Sequence, residues 1–314
     1  MKKIKKILIH DPYFDVLGGG ERYILQLAKV FDRRGYEIYL PWDDPELLKK
    51  ISEKFGLQFE NLIIIPNFFL HSNPLEKAFK TSQYDGLFYV TDGSYYLSFA
   101  KKNFIYAMVP HKDLYKKEII KRIKWSNFEF IVHSQFVKKF VDSWTGKKAL
   151  LIYPYIDEIF YRQQSTSKKK QIISIGRFFK HLHSKRHDIL IEVFNKLLQK
   201  DPLFKNFKLI LAGGLKEEDR NYFEELKVMA KGEERIKLIV NPSFNQILDL
   251  YRESLIYWHG AGFGIEENQN PQQVEHLGIT PLEAMAAGCV VFAHESGGPK
   301  ELIKDDKNGF LYRD

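Results

Sequence analysis

The chain reads as an α/β protein made of two doubly wound parallel sheets, one in each half, and three observations predict this. Continuous apolar runs recur at 7–9, 37–40, 62–65, 87–90, 104–109, 130–132 and 150–153, and again at 172–175, 208–211, 236–240, 255–258 and 290–293. Unbroken runs of this length suit strands buried on both faces. Helical patterns lie between many of them, at 21–33, 114–124 and 135–143, then at 185–199, 217–231, 244–251 and 281–287. That alternation is what a parallel sheet with covering helices requires. Finally, the polar stretch 162–170 lacks apolar periodicity and reads as a linker, which places one domain at 1–161 and the other at 171–314. In such sheets ligands bind beyond the carboxyl ends of the strands, so the expected site is a cleft shared by the two units.

The composition narrows the class. At 314 residues, 44% hydrophobic and 28% charged, the chain is long enough for two ordinary cores. No apolar run is long enough to span a bilayer. Lysines precede the run at 7–9, but His10, Asp11 and Pro12 end it too early for a secretory segment, so it is read as a first strand. The single cysteine, Cys289, lies in a valine-rich run and is expected to be a buried hydrophobe in a reducing, cytoplasmic setting. Of the net charge of +8, residues 1–158 contribute +6, from 25 Lys and Arg against 19 Asp and Glu. Lys112, Lys116, Lys117, Lys121, Arg122 and Lys124 cluster there, followed by Lys138, Lys139, Lys147 and Lys148. A solvated face is one reading; the other is a surface that holds a phosphate-bearing acceptor or makes peripheral contact with an anionic membrane, at its inner face. No nucleic-acid motif accompanies the charge.

The most informative segment is 275–288, Glu-His-Leu-Gly-Ile-Thr-Pro-Leu-Glu-Ala-Met-Ala-Ala-Gly. Thr280 suits an N-cap, Pro281 the first helical position, and Gly288 a left-handed terminator. The amides of Gly278, Ile279 and Thr280 would then face off a positive dipole end, where phosphate binds without a metal. Glu275 and Glu283 flank that site, an arrangement suited to a nucleotide sugar: amides for the diphosphate, one carboxylate for ribose hydroxyls and one for the sugar. The competing reading is a capping box in which Glu283 accepts from the Thr280 amide.

Other positions converge on the same chemistry. Gly18, Gly19 and Gly20 follow the first strand and open a helix, where a backbone can approach an anion closely or simply turn tightly. A dinucleotide fingerprint would need a further glycine at Tyr23. Arg177, after Gly176, and Lys185 stand at a strand end and a helix start, where cations can neutralise a diphosphate; Arg186 is a weaker candidate. His111 emerges after the run at 104–109 and could donate to a sugar hydroxyl, or be a plain loop residue. His181, His183 and His187 lack a nearby cysteine and a fourth ligand for zinc, and the chain has no Asp-x-Asp, so no metal or other cofactor is expected. The glycine-rich loop at 257–264 reads either as a cover over a ligand or as an insertion.

Together, Gly18-Gly19-Gly20, Gly176-Arg177 with Lys185, Glu275 through Gly288, Gly297-Gly298 and Asn308-Gly309-Phe310 resemble the retaining glycosyltransferases of the GT-B fold, family 4 or group 1, whose two Rossmann-like domains face each other. The resemblance covers nearly the whole chain and is strongest from 260 to 310. It implies metal-independent transfer of a hexose from a nucleoside diphosphate sugar to a glycan, lipid or other acceptor, with retention at the anomeric carbon. It further implies that Arg177 and Lys185 hold the diphosphate, Glu283 the ribose, and Glu275 the donor sugar. Gly19 and Gly20 match the glycine loop and His111 the first-domain histidine. Leu277 stands where relatives often carry phenylalanine, and relatives continue past Asp314 with a segment this chain is expected to lack. The alternative function is a noncatalytic module that binds a nucleotide sugar or glycan for a partner enzyme.

Overall fold

The computed structural model describes residues 5–115, 118–161 and 167–314, so Lys116, Lys117 and positions 162–166 of the anticipated linker lie outside the described residues. The chain forms two compact units, Met1–Tyr155 and Ile156–Asp314. The division falls earlier than the polar stretch because Ile156 and Phe160 already pack into the second unit's core. At the far end of that stretch Lys168 is tied down as well, donating to the carbonyls of Tyr251 at 3.0 Å and Ala287 at 2.6 Å.

The first unit holds β1 (Lys6–His10), α1 (Gly19–Asp32), β2 (Glu37–Pro41), α2 (Leu47–Phe55), β3 (Leu62–Ile65), α3 (Phe68–His71), α4 (Pro74–Thr81), β4 (Gly86–Val90), β5 (Lys102–Tyr106), α5 (Ile119–Lys124), β6 (Glu129–Val132), α6 (Gln135–Thr145) and β7 (Leu150–Leu151). Its strands lie in the order β3-β2-β1-β4-β5-β6-β7, and every pairing is parallel. The second unit holds β8 (Lys169–Ile175), α7 (His187–Lys200), β9 (Lys208–Gly213), α8 (Arg220–Ala230), β10 (Ile236–Val240), α9 (Phe244–Glu253), β11 (Ser254–His259), α10 (Ile279–Ala286), β12 (Val290–His294), α11 (Pro299–Leu302) and β13 (Phe310–Tyr312). Its order is β10-β9-β8-β11-β12-β13, again all parallel.

Alternation inside the strands shows why the runs are apolar throughout. Leu8 of β1 enters one core cluster while Ile7 and Ile9 enter another, so both faces of the strand are covered. In β8, Ile172 and Ile173 divide between two clusters in the same way. Burying each such side chain stabilises by about 1.5–3 kcal/mol, which a polar residue at either parity would forfeit. Helix starts follow local chemistry: the Ser134 hydroxyl accepts from the Val137 amide at 3.1 Å to begin α6, and left-handed Gly146 ends it.

In each unit the strand order reverses beside the first strand, between β1 and β4 and between β8 and β11. Those reversals open a crevice at the carboxyl ends, the usual ligand position in this class of sheet. Cys289 is buried as expected, and its thiol also donates to the Tyr251 carbonyl at 3.1 Å. Burial pushes that thiol up to about 11, against the opposing influence of Lys168. No helix among the described residues is long and apolar enough to cross a membrane.

Candidate functional site

At the end of β8, Gly176 accounts for the position of Lys185. A Cβ on Gly176 would lie 2.5 Å from Lys185 Cγ, so the bare glycine makes room for the lysine stem. On the neighbouring strand a Cβ on Gly213 would overlap the Gly176 carbonyl, which keeps the two strand ends closely apposed. Lys185 is flanked by two non-glycine residues in the left-handed region, Leu182 at φ 50° and Arg186 at φ 52°. Arg186 is structural here: it forks onto Asp188, donates to the Phe263 carbonyl at 2.7 Å and caps α7.

The Lys185 ammonium pairs directly with the Glu275 carboxylate, and each side chain is only 12% exposed. On the same carboxylate oxygen, His259 Nε2 lies at 3.1 Å, although the angle falls short of a straight hydrogen bond. Burial pushes the Glu275 carboxyl up, but the charge of Lys185, with His259 and His183, overrides it and holds the group well below the usual carboxylate range. Glu275 therefore stays ionised at neutral pH and is unsuited to donate a proton. His259 ends β11 fully buried, and its carbonyl accepts from the Tyr312 hydroxyl of β13 at 2.8 Å.

Beyond Glu275 the chain enters α10, and here the structure corrects the anticipated start. The N-cap is Gly278, at φ 94°, not Thr280. The Thr280 hydroxyl instead accepts from Tyr257 at 2.7 Å, while the Tyr257 hydroxyl also lies 3.3 Å from the Ile175 carbonyl at the end of β8. That tertiary bond removes Thr280 from capping. With Gly278 as N-cap, Glu283 is not the third helical residue that a capping box needs; its carboxylate accepts from the Tyr251 hydroxyl at 3.0 Å and the residue is 2% exposed. Gly288 does terminate the segment, at φ 79°. The first-turn amides still lack intrahelical acceptors, as at any helix start, and they begin beside Glu275, whose Cγ lies 3.6 Å from where a Gly278 Cβ would stand. Gly297 and Gly298 press against the backbone of 275–277, with the Gly298 amide donating to the Glu275 carbonyl at 2.8 Å.

Arg177 joins the same group. Its guanidinium stacks over Phe179 at 4.2 Å, its Nε has no hydrogen-bond partner among the described residues, and Asp219 is 3.9 Å away. His183 stands between Phe179 and His276, with ring separations of 5.3 and 5.1 Å. Arg177, Lys185, Glu275 and the first turn of α10, all read as candidates from the sequence, thus share one end of the second sheet, with the helix beginning two residues earlier than anticipated. As candidates, Tyr257 and His259 were read only as part of the 257–264 loop and Tyr251 not at all, because their contacts with Thr280, Glu275 and Glu283 join positions distant in sequence. Glu283 lies in the helix just behind.

In the first unit, Gly19 and Gly20 open α1, and the Gly18 amide donates to Glu21 at 2.5 Å. A Cβ on Gly20 would overlap the Met108 sulfur, so packing explains this glycine. His111 follows β5, which ends at Tyr106 rather than 109; its amide donates to the Val109 carbonyl at 2.9 Å, and its ring makes no hydrogen bond among the described residues. Among the described residues no three His, Cys, Asp or Glu side chains are grouped to hold a metal ion, and His181 is exposed.

The buried histidines carry a pH prediction. Burial lowers His10, His187 and His276 to about 3 and His183 to about 4, from 6.5. These rings are neutral in the folded chain, whereas an unfolded chain protonates them near 6.5. The unfolded state therefore binds more protons between 6.5 and about 4, and stability falls as pH drops through that window, by roughly 1.4 kcal/mol per histidine per pH unit. Urea midpoints measured at pH 7 and pH 5 should show a steep loss; a flat profile would mean that these rings are charged in the folded chain.

The fold is shared with solved glycosyltransferases of the GT-B class. A glycosyltransferase from Rickettsia africae matches with a TM-score of 0.72 at 18% identity, over 98% of this chain and 84% of its own. Anabaena HepE, solved with UDP and glucose, matches with a TM-score of 0.69 at 18% identity, over 98% and 85%. Residues 156–314, the whole second unit, match the family described as glycosyl transferases group 1, and the chain belongs to that family. Among curated proteins it is similar to the GDP-Man:Man(3)GlcNAc(2)-PP-Dol alpha-1,2-mannosyltransferase of Dictyostelium discoideum, 30% identical over 180 residues, and to that of Candida glabrata, 30% over 243 residues. Those matches cover 53% and 63% of this chain but only 33% and 45% of the relatives. The chain spans less than half the length of the relatives it matches.

Proposed function

We propose that the chain is a retaining glycosyltransferase of family 4 type that moves a hexose from a nucleoside diphosphate sugar to a lipid-linked glycan, without a metal. The observation that carries this reading is the convergence of Lys185 and His259 on Glu275 beside the first amides of α10, with Arg177 partly unsatisfied nearby. Arg177, Lys185 and the amides of Gly278, Ile279 and Thr280 take the diphosphate, offsetting charge as it leaves. Ionised Glu275 faces the sugar where positive charge develops. Glu283, oriented by Tyr251, takes the ribose, and His111, with Gly19 and Gly20, serves the first unit's side of the reaction. In a front-face step the bond from the anomeric carbon to the diphosphate oxygen breaks, the acceptor oxygen bonds to the same face, and the acceptor proton passes to the departing diphosphate. The names of the relatives support a GDP-mannose donor and a dolichol-linked acceptor.

The test is a thermal-shift panel of nucleoside diphosphates and their sugars, followed by donor hydrolysis. Binding raises the midpoint according to affinity and concentration. A rise with GDP or GDP-mannose and slow release of mannose supports the reading. Binding with neither hydrolysis nor transfer to any acceptor would make the chain a binding module, and no response to any nucleotide would overturn the site.

A further inference from the structure

The geometry points to α5 as the place where the first unit lies on an anionic lipid surface. This helix reads Ile-Ile-Lys-Arg-Ile-Lys and has no buried residue, although half of it is isoleucine. Ile119, Ile120 and Ile123 are 77%, 68% and 60% exposed, among the most exposed large apolar side chains of the described residues. Core-facing helices place such residues inward, and a cluster left outside marks a surface that meets something. The same six residues carry Lys121, Arg122 and Lys124 and no carboxylate, while Lys112, seven residues before the helix, is exposed. Glu118, 3.5 Å from Lys121, is the carboxylate paired with it.

The apolar character continues past the helix. Asn127 Nδ2 donates to the Ser98 carbonyl at 2.8 Å, joining the turn after α5 to the segment that bears Leu97 and Phe99. Phe99, 51% exposed, meets Phe79, 66% exposed, edge-on at 5.5 Å. Lys147 holds this corner from within, donating to the carbonyls of Trp125, Ser126 and Phe128 at 2.8, 3.0 and 2.7 Å.

Charge decides the occupant. A protein partner or a second copy would meet the isoleucines with an apolar face, but Arg122 and Lys124, interleaved with them and without a carboxylate partner among the described residues, would be desolvated there. An anionic bilayer accepts both at once: the isoleucines enter the interface and the cations remain at the headgroup level, reaching phosphate through flexible stems. Such a surface would also bring the chain to a lipid-linked acceptor, but the binding itself does not depend on the glycosyltransferase reading.

The test is flotation of the chain with vesicles of phosphatidylcholine alone and with about 30% phosphatidylglycerol. Binding is expected to the anionic vesicles only, and to weaken at about 0.5 M salt, where charges are screened within a few ångströms. Two triple variants, Ile119→Ser/Ile120→Ser/Ile123→Ser and Lys121→Glu/Arg122→Glu/Lys124→Glu, should each reduce it by about tenfold or more while melting like the parent, because no side chain changed is buried. If one variant were unstable, the other would carry the same reading alone. Absence of binding to anionic vesicles, or equal binding by parent and folded variants, would overturn the proposal. So would a change from dimer to monomer in the isoleucine variant without vesicle binding by the parent, which would assign the surface to a second copy.

Discussion

Arg177→Ala is expected to lower turnover by about a hundredfold or more while leaving the unfolding midpoint almost unchanged. The stability side follows from what the guanidinium touches: one stacked ring, Phe179 at 4.2 Å, and a carboxylate, Asp219, at 3.9 Å. Contacts of that kind contribute about 1 kcal/mol or less at a partly exposed position. The kinetic side follows from its proposed place on the diphosphate, with an Nε that has no hydrogen-bond partner among the described residues. A preorganised cation aimed at a leaving diphosphate is worth roughly a hundred- to a thousandfold in rate, because only the transition state carries the full charge it meets. Turnover and urea midpoints measured side by side decide the matter. Equal losses in both would make Arg177 a structural residue.

Glu275→Gln should behave in the opposite way, costing stability as well as activity. It would leave the Lys185 ammonium, 12% exposed, without its counter-ion and leave His259 facing an uncharged amide. Breaking a buried pair from one side costs about 3–5 kcal/mol, since the remaining charge has already lost its water. The double variant Lys185→Met/Glu275→Gln should recover a large part of that loss without recovering transfer. A double-mutant cycle in urea measures the coupling, and additive effects would show that the pair does not act as a unit. Acid should weaken the wild-type pair in the same direction: the carboxyl lies well below 4.5, so its contribution is present above 4.5 and is lost as pH falls through the lower folded value.

These expectations rest on a part of the molecule that was largely legible in the chain. The strands of both sheets could be read because a strand covered on two faces must be apolar at every position, as the division of Leu8 from Ile7 and Ile9 between clusters shows. Shorter elements carried too little signal. The pattern Leu47, Ile51, Phe55 spans only two turns of α2, and β13 is three residues long. Gly20, Gly176, Gly297 and Gly298 stand where the absence of a Cβ answers to a definite neighbour. Gly176 was legible as a strand end, but its service to Lys185 was not, since that contact joins positions nine residues apart through a loop with unusual backbone angles. The start of α10 was misplaced for a related reason. Thr280 has the right side chain for a cap, and only Tyr257, held against Ile175 at the end of β8, shows that its hydroxyl is already engaged. His259 stood out only as part of the 257–264 loop, because a histidine at the end of an apolar strand acquires its meaning from Glu275, distant in sequence.

The sheltered sulfur of Cys289 has a practical consequence. Held as a thiol well above neutral pH and enclosed among backbone carbonyls, it should ignore maleimides under ordinary conditions. Dyes would therefore attach only at cysteines placed deliberately on the exterior. Single fluorophores placed on the second half can report the arrival of a nucleotide, in a background that needs no prior substitution.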